Sequence, residues 1–307
     1  MIEKKPDFLC VGLPKAGTST IHHVLDCHPD IAMPPVKEVK FLIADKIGYA
    51  RPRVFALFGR DWPAQQDRAF LYRFVKKALR LQISHYQWRS VFRYYFGISV
   101  GTVWYQGLFH RDLISGDVTV NYFWLTEQDV TQLARDFPWL KIILMLRSPV
   151  ELNWSYFRMI SLRKNERDVL ELKRFQKEIE DKKRNIGRYI DLIDRWKNVF
   201  GNNLFVGYFD DLKDEPERFF DEVCGFLGVA QASNWTEGMK GAMGTVVNNS
   251  PPLSIPPELA GPLLDLSEYN LDGFEAVSAQ YKDLWMAQVE DLKRQIGIST
   301  EVQKAAS

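Results

Sequence analysis

Short unbroken apolar runs alternate along the chain with longer stretches in which apolar residues recur at helical spacing. Phe8 to Val11 forms the first such run, Gly12 to Gly17 a tight loop, and Thr18 to Cys27 a helix whose first turn is rich in hydroxyls. Leu140 to Leu146 is the clearest buried strand, continuous and apolar as central parallel strands are. Leu204 to Phe209 reads as another strand, and Asp117 to Val120 as a short β-prone run. Between them lie helical patterns. Residues 164–200 are highly charged with an apolar stripe through Leu170, Ile179, Ile186, Ile190, Ile193 and Trp196, Pro216 to Leu227 forms a helix ending near Gly228, and 271–296 form an amphipathic helix or pair of helices. Strands alternating with helices predict an α/β fold with a central parallel sheet flanked by helices.

One stretch interrupts that pattern. Residues 45–110 are poor in strand signals and rich in aromatic and basic residues, among them Trp62, Tyr72, Trp88, Trp104 and Tyr105. Arg73, Lys76, Lys77 and Arg80 recur at helical spacing beside Phe70, Phe74 and Leu81, which predicts a helical, aromatic-rich insertion covering the cleft. Residues 230–262 are rich in Gly, Asn and Pro and are expected to form a mobile loop.

The 307 residues, 46% hydrophobic, suffice for one large domain with an insertion. With 40 basic against 39 acidic residues there is no overall basic field to draw in nucleic acid or a highly charged polymer. Cys10, Cys27 and Cys224 lack metal-ligand spacing and are expected to be buried thiols. The N-terminus shows no signal-peptide core and no apolar run is long enough to span a bilayer, so a cytoplasmic protein without membrane attachment is expected.

The first strand, loop and helix make a phosphate-binding unit. Glycines let the backbone approach an anion, and a helix start presents unpaired N–H groups to it. A Walker A loop places its lysine directly after the second glycine. Here Thr18 follows Gly17, and Lys15 precedes it by two residues, so neither ATP nor GTP is the expected nucleotide.

Pro14-Lys-Ala-Gly-Thr-Ser-Thr20 resembles the 5′-phosphosulfate loop of sulfotransferases that use 3′-phosphoadenosine 5′-phosphosulfate (PAPS). That resemblance implies that Lys15 contacts the phosphosulfate while Ala16, Gly17, Thr18, Ser19 and Thr20 hold the 5′-phosphate. His28-Pro29 followed by Lys37-Glu38-Val39-Lys40-Phe41 is similar to a block of the heparan-sulfate and related bacterial sulfotransferases, which makes Glu38 the catalytic base. A carboxylate between Lys37 and Lys40 suits that task. The family often has Glu-Lys-Thr-Pro-x-Tyr-Phe where this chain has residues 117–123, and its lysine helps to bind the sulfuryl group. Val118 stands at that position, which puts Lys40 forward as a substitute cation.

Arg147 at the end of the apolar strand and Ser155 eight residues later resemble the family's 3′-phosphate element. An arginine fork suits a phosphate, and a P-loop NTPase would place an aspartate for magnesium there instead. Arg147 pairing with Glu151 at i+4 is the plainer reading of the same residue. Lys240-Gly241 is the counterpart of a basic, glycine-containing loop that closes over the adenosine and 3′-phosphate in related enzymes. The resemblance as a whole implies a PAPS-dependent sulfotransferase that releases 3′-phosphoadenosine 5′-phosphate (PAP) and needs no metal. The charge balance and aromatic insertion point to a small-molecule hydroxyl as the acceptor. A glycan or amine acceptor, a kinase-like NTPase and a PAPS-binding protein without activity are the alternatives.

Overall fold

The structure, a computed structural model, describes residues 5–34, 37–43, 91–92, 94, 101–163, 177, 179–181, 183, 186–230, 237–244 and 255–305. Four strands form one sheet: β1 (Phe8–Gly12), β2 (Gly116–Val118), β3 (Lys141–Leu146) and β4 (Leu204–Tyr208). All neighbours are parallel and the order is β2-β1-β3-β4. Every residue of β1 is buried, as are all but the first of β3, because helices cover both faces of a parallel sheet. Lys141, that first residue, turns its ammonium to the carbonyl of Phe226 at 2.7 Å.

The helices are α1 (Thr18–Asp26), α2 (Thr102–Gln106), α3 (Glu127–Asp136), α4 (Pro149–Arg163), α5 (Tyr189–Phe200), α6 (Phe209–Asp214), α7 (Pro216–Leu227), α8 (Glu237–Gly244), α9 (Pro257–Leu271) and α10 (Ala279–Ala305). Local signals account for several of their ends. Thr126 and Asp129 form a reciprocal capping box at α3, while α7 opens on Pro216 and stops at Gly228, whose φ of 82° is left-handed.

Strand order determines where a ligand can sit. The chain leaves β1 toward β2 on one side and leaves β3 toward β4 on the other, so the C-terminal ends of β1 and β3 flank a topological switch point. The Leu13 amide donates to the Met145 carbonyl (2.8 Å) just past a register shift between Cys10 and Gly12, which begins the loop after β1 right beside the end of β3.

The insertion predicted over 45–110 lies largely outside the described residues. Its described end contains α2, whose Trp104 and Tyr105 join Val39, Val91, Tyr94, Leu108 and Phe109 in a small buried cluster of its own. The segment 230–262 differs from the expected loop where it is described: Glu237–Gly244 is helical and packs on α1, and α9 starts at Pro257. Buried Met239 supplies the apolar face that ties α8 down. The C-terminal segment is two helices separated by a turn at Phe274–Ala276. Phe274 and Trp285 stack there (5.3 Å, 16°), with Tyr189 edge-on to both. Cys10 and Cys224 are buried as expected; Cys27 is exposed, because it caps α1 on the solvent side.

Candidate active site

The loop Leu13–Gly17 bends back under α1. Gly17, the N-cap of α1, has φ 82°, and a Cβ there would lie 2.4 Å from Leu212 Cδ2, so any other residue would be strained and would displace Leu212. No side chain caps α1 and no acidic residue lies in its first turn. Its N–H groups therefore keep their positive end for an anion, beside the hydroxyls of Thr18, Ser19 and Thr20.

Backbone strain singles out three residues. Among the described residues, the non-glycine positions with positive φ are Lys15 (69°), Glu38 (65°) and Lys40 (60°). Such conformations cost on the order of 1 kcal/mol or more each and persist where surrounding contacts impose them. These are the three residues that sequence reasoning assigned to catalysis.

The Glu38 loop is fastened to β2 and the turn after it by successive amides. Glu38 N–H donates to the Val118 carbonyl (2.9 Å), that of Val39 to the Asp117 carboxylate, that of Lys40 to Thr119 Oγ1 (3.3 Å) and that of Leu42 to the Tyr122 hydroxyl oxygen (3.5 Å). Asp117 organises this contact. It is fully buried and accepts from the Tyr122 hydroxyl at 2.6 Å, Thr119 at 2.8 Å and Tyr105 at 3.1 Å. Burial pushes its pKa up, and the bonds from Tyr122, Thr119, Tyr105 and the Val39 amide oppose that shift. Burial likewise raises the phenols of Tyr105 and Tyr122 well above the usual tyrosine range, so both remain O–H donors.

Two ammonium groups flank the Glu38 carboxylate. Lys40 Nζ lies 3.4 Å from one oxygen and Lys37 Nζ 3.8 Å from the other. Lys37 also reaches the phosphate loop: its Nζ donates to Ser19 Oγ at 2.8 Å and Thr18 Oγ1 at 3.3 Å. Burial lowers the Lys37 pKa, and the charge of Glu38 partly offsets that. His22, one turn along α1, is pushed down to about 3 by burial, with Lys37 and His23 adding to the shift, and stays neutral.

At the end of β3, Arg147 spans the switch point. Its Nη1 donates to the Lys15 carbonyl at 2.9 Å, its Nε and Nη2 hold Glu151 at 3.0 and 2.7 Å, and its guanidinium lies over the Phe209 ring at 4.2 Å. The i+4 pairing with Glu151 is thus present, together with a link to the phosphate loop that i+4 spacing does not foresee. Tyr189 donates to the Arg147 carbonyl at 3.0 Å, and Ser148 donates to Gln288 of α10. Ser155 is buried on α4 at i+4 from Glu151, on the same helix face. Arg158 follows one turn later; burial lowers its pKa and the charge of Arg147 adds to the effect, which brings a second guanidinium into this neighbourhood.

The structure therefore brings Lys15, the α1 start, Glu38, Lys40 and Arg147 to one crevice. Lys240 stands on the exposed side of α8, on a helix rather than the loop read from the sequence. Val118 is aliphatic and buried against Cys10. Sequence reasoning missed the Asp117 cluster, Arg158 and the contact of Lys37 with Ser19. An aspartate in a strand, with Thr119 and Tyr122 close behind, was the available signal for the first.

A family model described as the sulfotransferase family matches residues 6–233. The chain belongs to the sulfotransferase family. A search of curated proteins returns no match. Among solved structures, a sulfotransferase from Alicyclobacillus acidocaldarius superposes with a TM-score of 0.54 at 22% identity, over 89% of this chain and 95% of that one. The sulfotransferase domain from the curacin biosynthetic pathway gives 0.44 at 12% identity (77% of each chain). The corresponding domain of a Synechococcus olefin synthase gives 0.43 at 14% identity (87% and 95%). The first of these supports the P-loop-type sulfotransferase fold. Among the described residues no helix is long and apolar enough to cross a membrane.

Proposed function

We propose that this sulfotransferase takes its sulfuryl group from PAPS and passes it in line to a hydroxyl of a small-molecule acceptor. The observation that carries this reading is the meeting of three parts at one crevice: an uncapped helix start with its lysines, a carboxylate held between two ammonium groups, and an arginine bonded to the phosphate-loop backbone. These residues fit an anionic nucleotide. The α1 amides, Lys15 and the hydroxyls of Thr18 to Thr20 would hold the 5′-phosphate, while Arg147 and Ser155 would hold the 3′-phosphate.

PAPS supplies the sulfuryl group and a phosphate leaving group. Glu38 would accept the acceptor's proton as the new S–O bond forms. The S–O bond to the phosphate breaks with its electron pair on the phosphate oxygen, where fixed cations and amides balance the growing charge. Positioning by Arg147 and Ser155 selects a 3′-phosphorylated nucleotide over ADP.

The acceptor reading is supported by the surroundings of Glu38. Phe41 stacks on Tyr105 (4.3 Å, 12°) three residues beyond it, and the adjacent buried cluster is aromatic. A balance of 40 basic and 39 acidic residues gives the chain no strong overall positive charge to draw in a sulfated polymer. Sulfate transfer from radiolabelled PAPS to a panel of phenols and aliphatic alcohols, set beside a heparan oligosaccharide, tests the assignment. Labelling of a low-molecular-weight hydroxyl is expected; labelling of the oligosaccharide alone would overturn it.

A further inference from the structure

We infer that Lys37 is a further catalytic residue, the cation that couples the base to the leaving phosphate; the inference rests on the donor assignment above. An ammonium has three N–H donors and no acceptor. In Lys37 one is directed to Ser19 Oγ (2.8 Å), one to Thr18 Oγ1 (3.3 Å), and the charge lies 3.8 Å from a Glu38 carboxylate oxygen. The two hydroxyl oxygens accept from Lys37, so their own hydrogens are left to donate to a further acceptor, and the α1 start beside them points the same way. The ammonium thus sits between the group that gains a proton and the oxygen that gains an electron pair.

Its position matches the charge movement of the reaction. Before transfer the negative charge facing Lys37 is on Glu38. During transfer Glu38 is neutralised by the acceptor's proton, while charge builds on the phosphate oxygen next to Ser19 and Thr18. A cation fixed between the two sites faces a negative charge throughout, and its interaction with the leaving oxygen strengthens as the S–O bond breaks. Lys40, by contrast, contacts the far oxygen of Glu38 at 3.4 Å. The segment that carries Lys37 is fixed in place by the next residue, whose N–H donates to the Val118 carbonyl at 2.9 Å.

Burying this ammonium is costly to the fold. Its side chain is 23% exposed and burial disfavours its charged form. A lysine kept there for structure would be missed on removal, whereas one kept for the reaction would be dispensable to stability.

Calorimetric titration of wild type, Lys37→Met and Lys37→Arg with PAP and with adenosine 3′-phosphate, which lacks the 5′-phosphate, separates these cases. Wild type is expected to prefer PAP. Lys37→Met should lose tenfold or more of that preference with adenosine 3′-phosphate affinity unchanged and an unfolding midpoint no lower than wild type, and Lys37→Arg should restore most of it. Lys37→Gln repeats the neutral case should the methionine variant not fold. A wild type that prefers PAP and a Lys37→Met or Lys37→Gln variant that keeps the full preference would overturn the role of Lys37 and leave the donor assignment standing. No preference for PAP in the wild type would overturn both.

Discussion

The turn that carries Arg147 and the loop that carries Glu38 face the same crevice, and they are built in opposite ways. The Arg147 turn is a regular passage from strand to helix, with Pro149 at the start of α4 and no residue at positive φ. It is held from outside, by the Tyr189 hydroxyl and by Gln288 of α10. The Glu38 loop has two strained residues and no regular structure until Phe41, and each of its amides from Glu38 to Lys40 bonds to a different group at the end of β2. Ordinary secondary structure can aim a side chain outward. Placing a carboxylate between two ammonium groups required a conformation that the chain avoids, and a buried polar cluster to hold it there.

The largest expected effect is on the strained side. Glu38→Gln keeps the shape and removes the proton acceptor, so turnover should fall roughly 10²-fold or more with PAP affinity nearly intact. Steady-state kinetics beside calorimetry checks this; near-normal turnover would place the base elsewhere. On the regular side, Arg147→Ala should weaken PAP by about tenfold or more and ADP far less. Equal weakening of both would remove Arg147 from the 3′-phosphate and leave it as a brace for Lys15.

Smaller effects probe what holds the strained loop. Tyr122→Phe takes from Asp117 its shortest hydrogen bond, which should cost about 2 kcal/mol in a urea titration. It should also lower turnover, since the same hydroxyl meets the Leu42 amide. A stability loss with turnover unchanged would make the cluster a matter of packing alone. Lys40→Gly relieves a φ of 60° and should stabilise the fold by up to about 1 kcal/mol, where lysine-to-glycine changes at regular positions destabilise.

The same contrast explains how much could be read from the sequence. β1 and β3 were legible because unbroken apolar runs mean parallel strands buried on both faces, β4 because its run is apolar although this edge strand is mostly half-buried, and α7 because Pro216 and Gly228 mark its ends. Lys15, Glu38 and Arg147 were legible as wording, each in a short motif next to a strand or loop. Lys37 was not, because its bond to Ser19 joins residues 18 apart in sequence through a loop without periodicity. Asp117 reads from the sequence as one acidic residue in a short β-prone run. Its partners come from three separate segments, around Tyr105, around Tyr122 and around Val39, and the parallel pairing of Leu9 with Asp117 buries it beneath the Glu38 loop. Residues 230–262 misled for a related reason: Gly, Asn and Pro suggest a loop, while one buried methionine and contact with α1 hold Glu237–Gly244 as a helix.

On the proposed function, this crevice holds a nucleotide with phosphates on both its 3′ and 5′ carbons. Calorimetric titration of the wild-type protein with PAP, ADP, and ATP with magnesium tests it most directly. PAP is expected to bind at least tenfold more tightly than either of the others, with no dependence on magnesium. A preference for ATP with magnesium, or equal affinity for PAP and ADP, would contradict it.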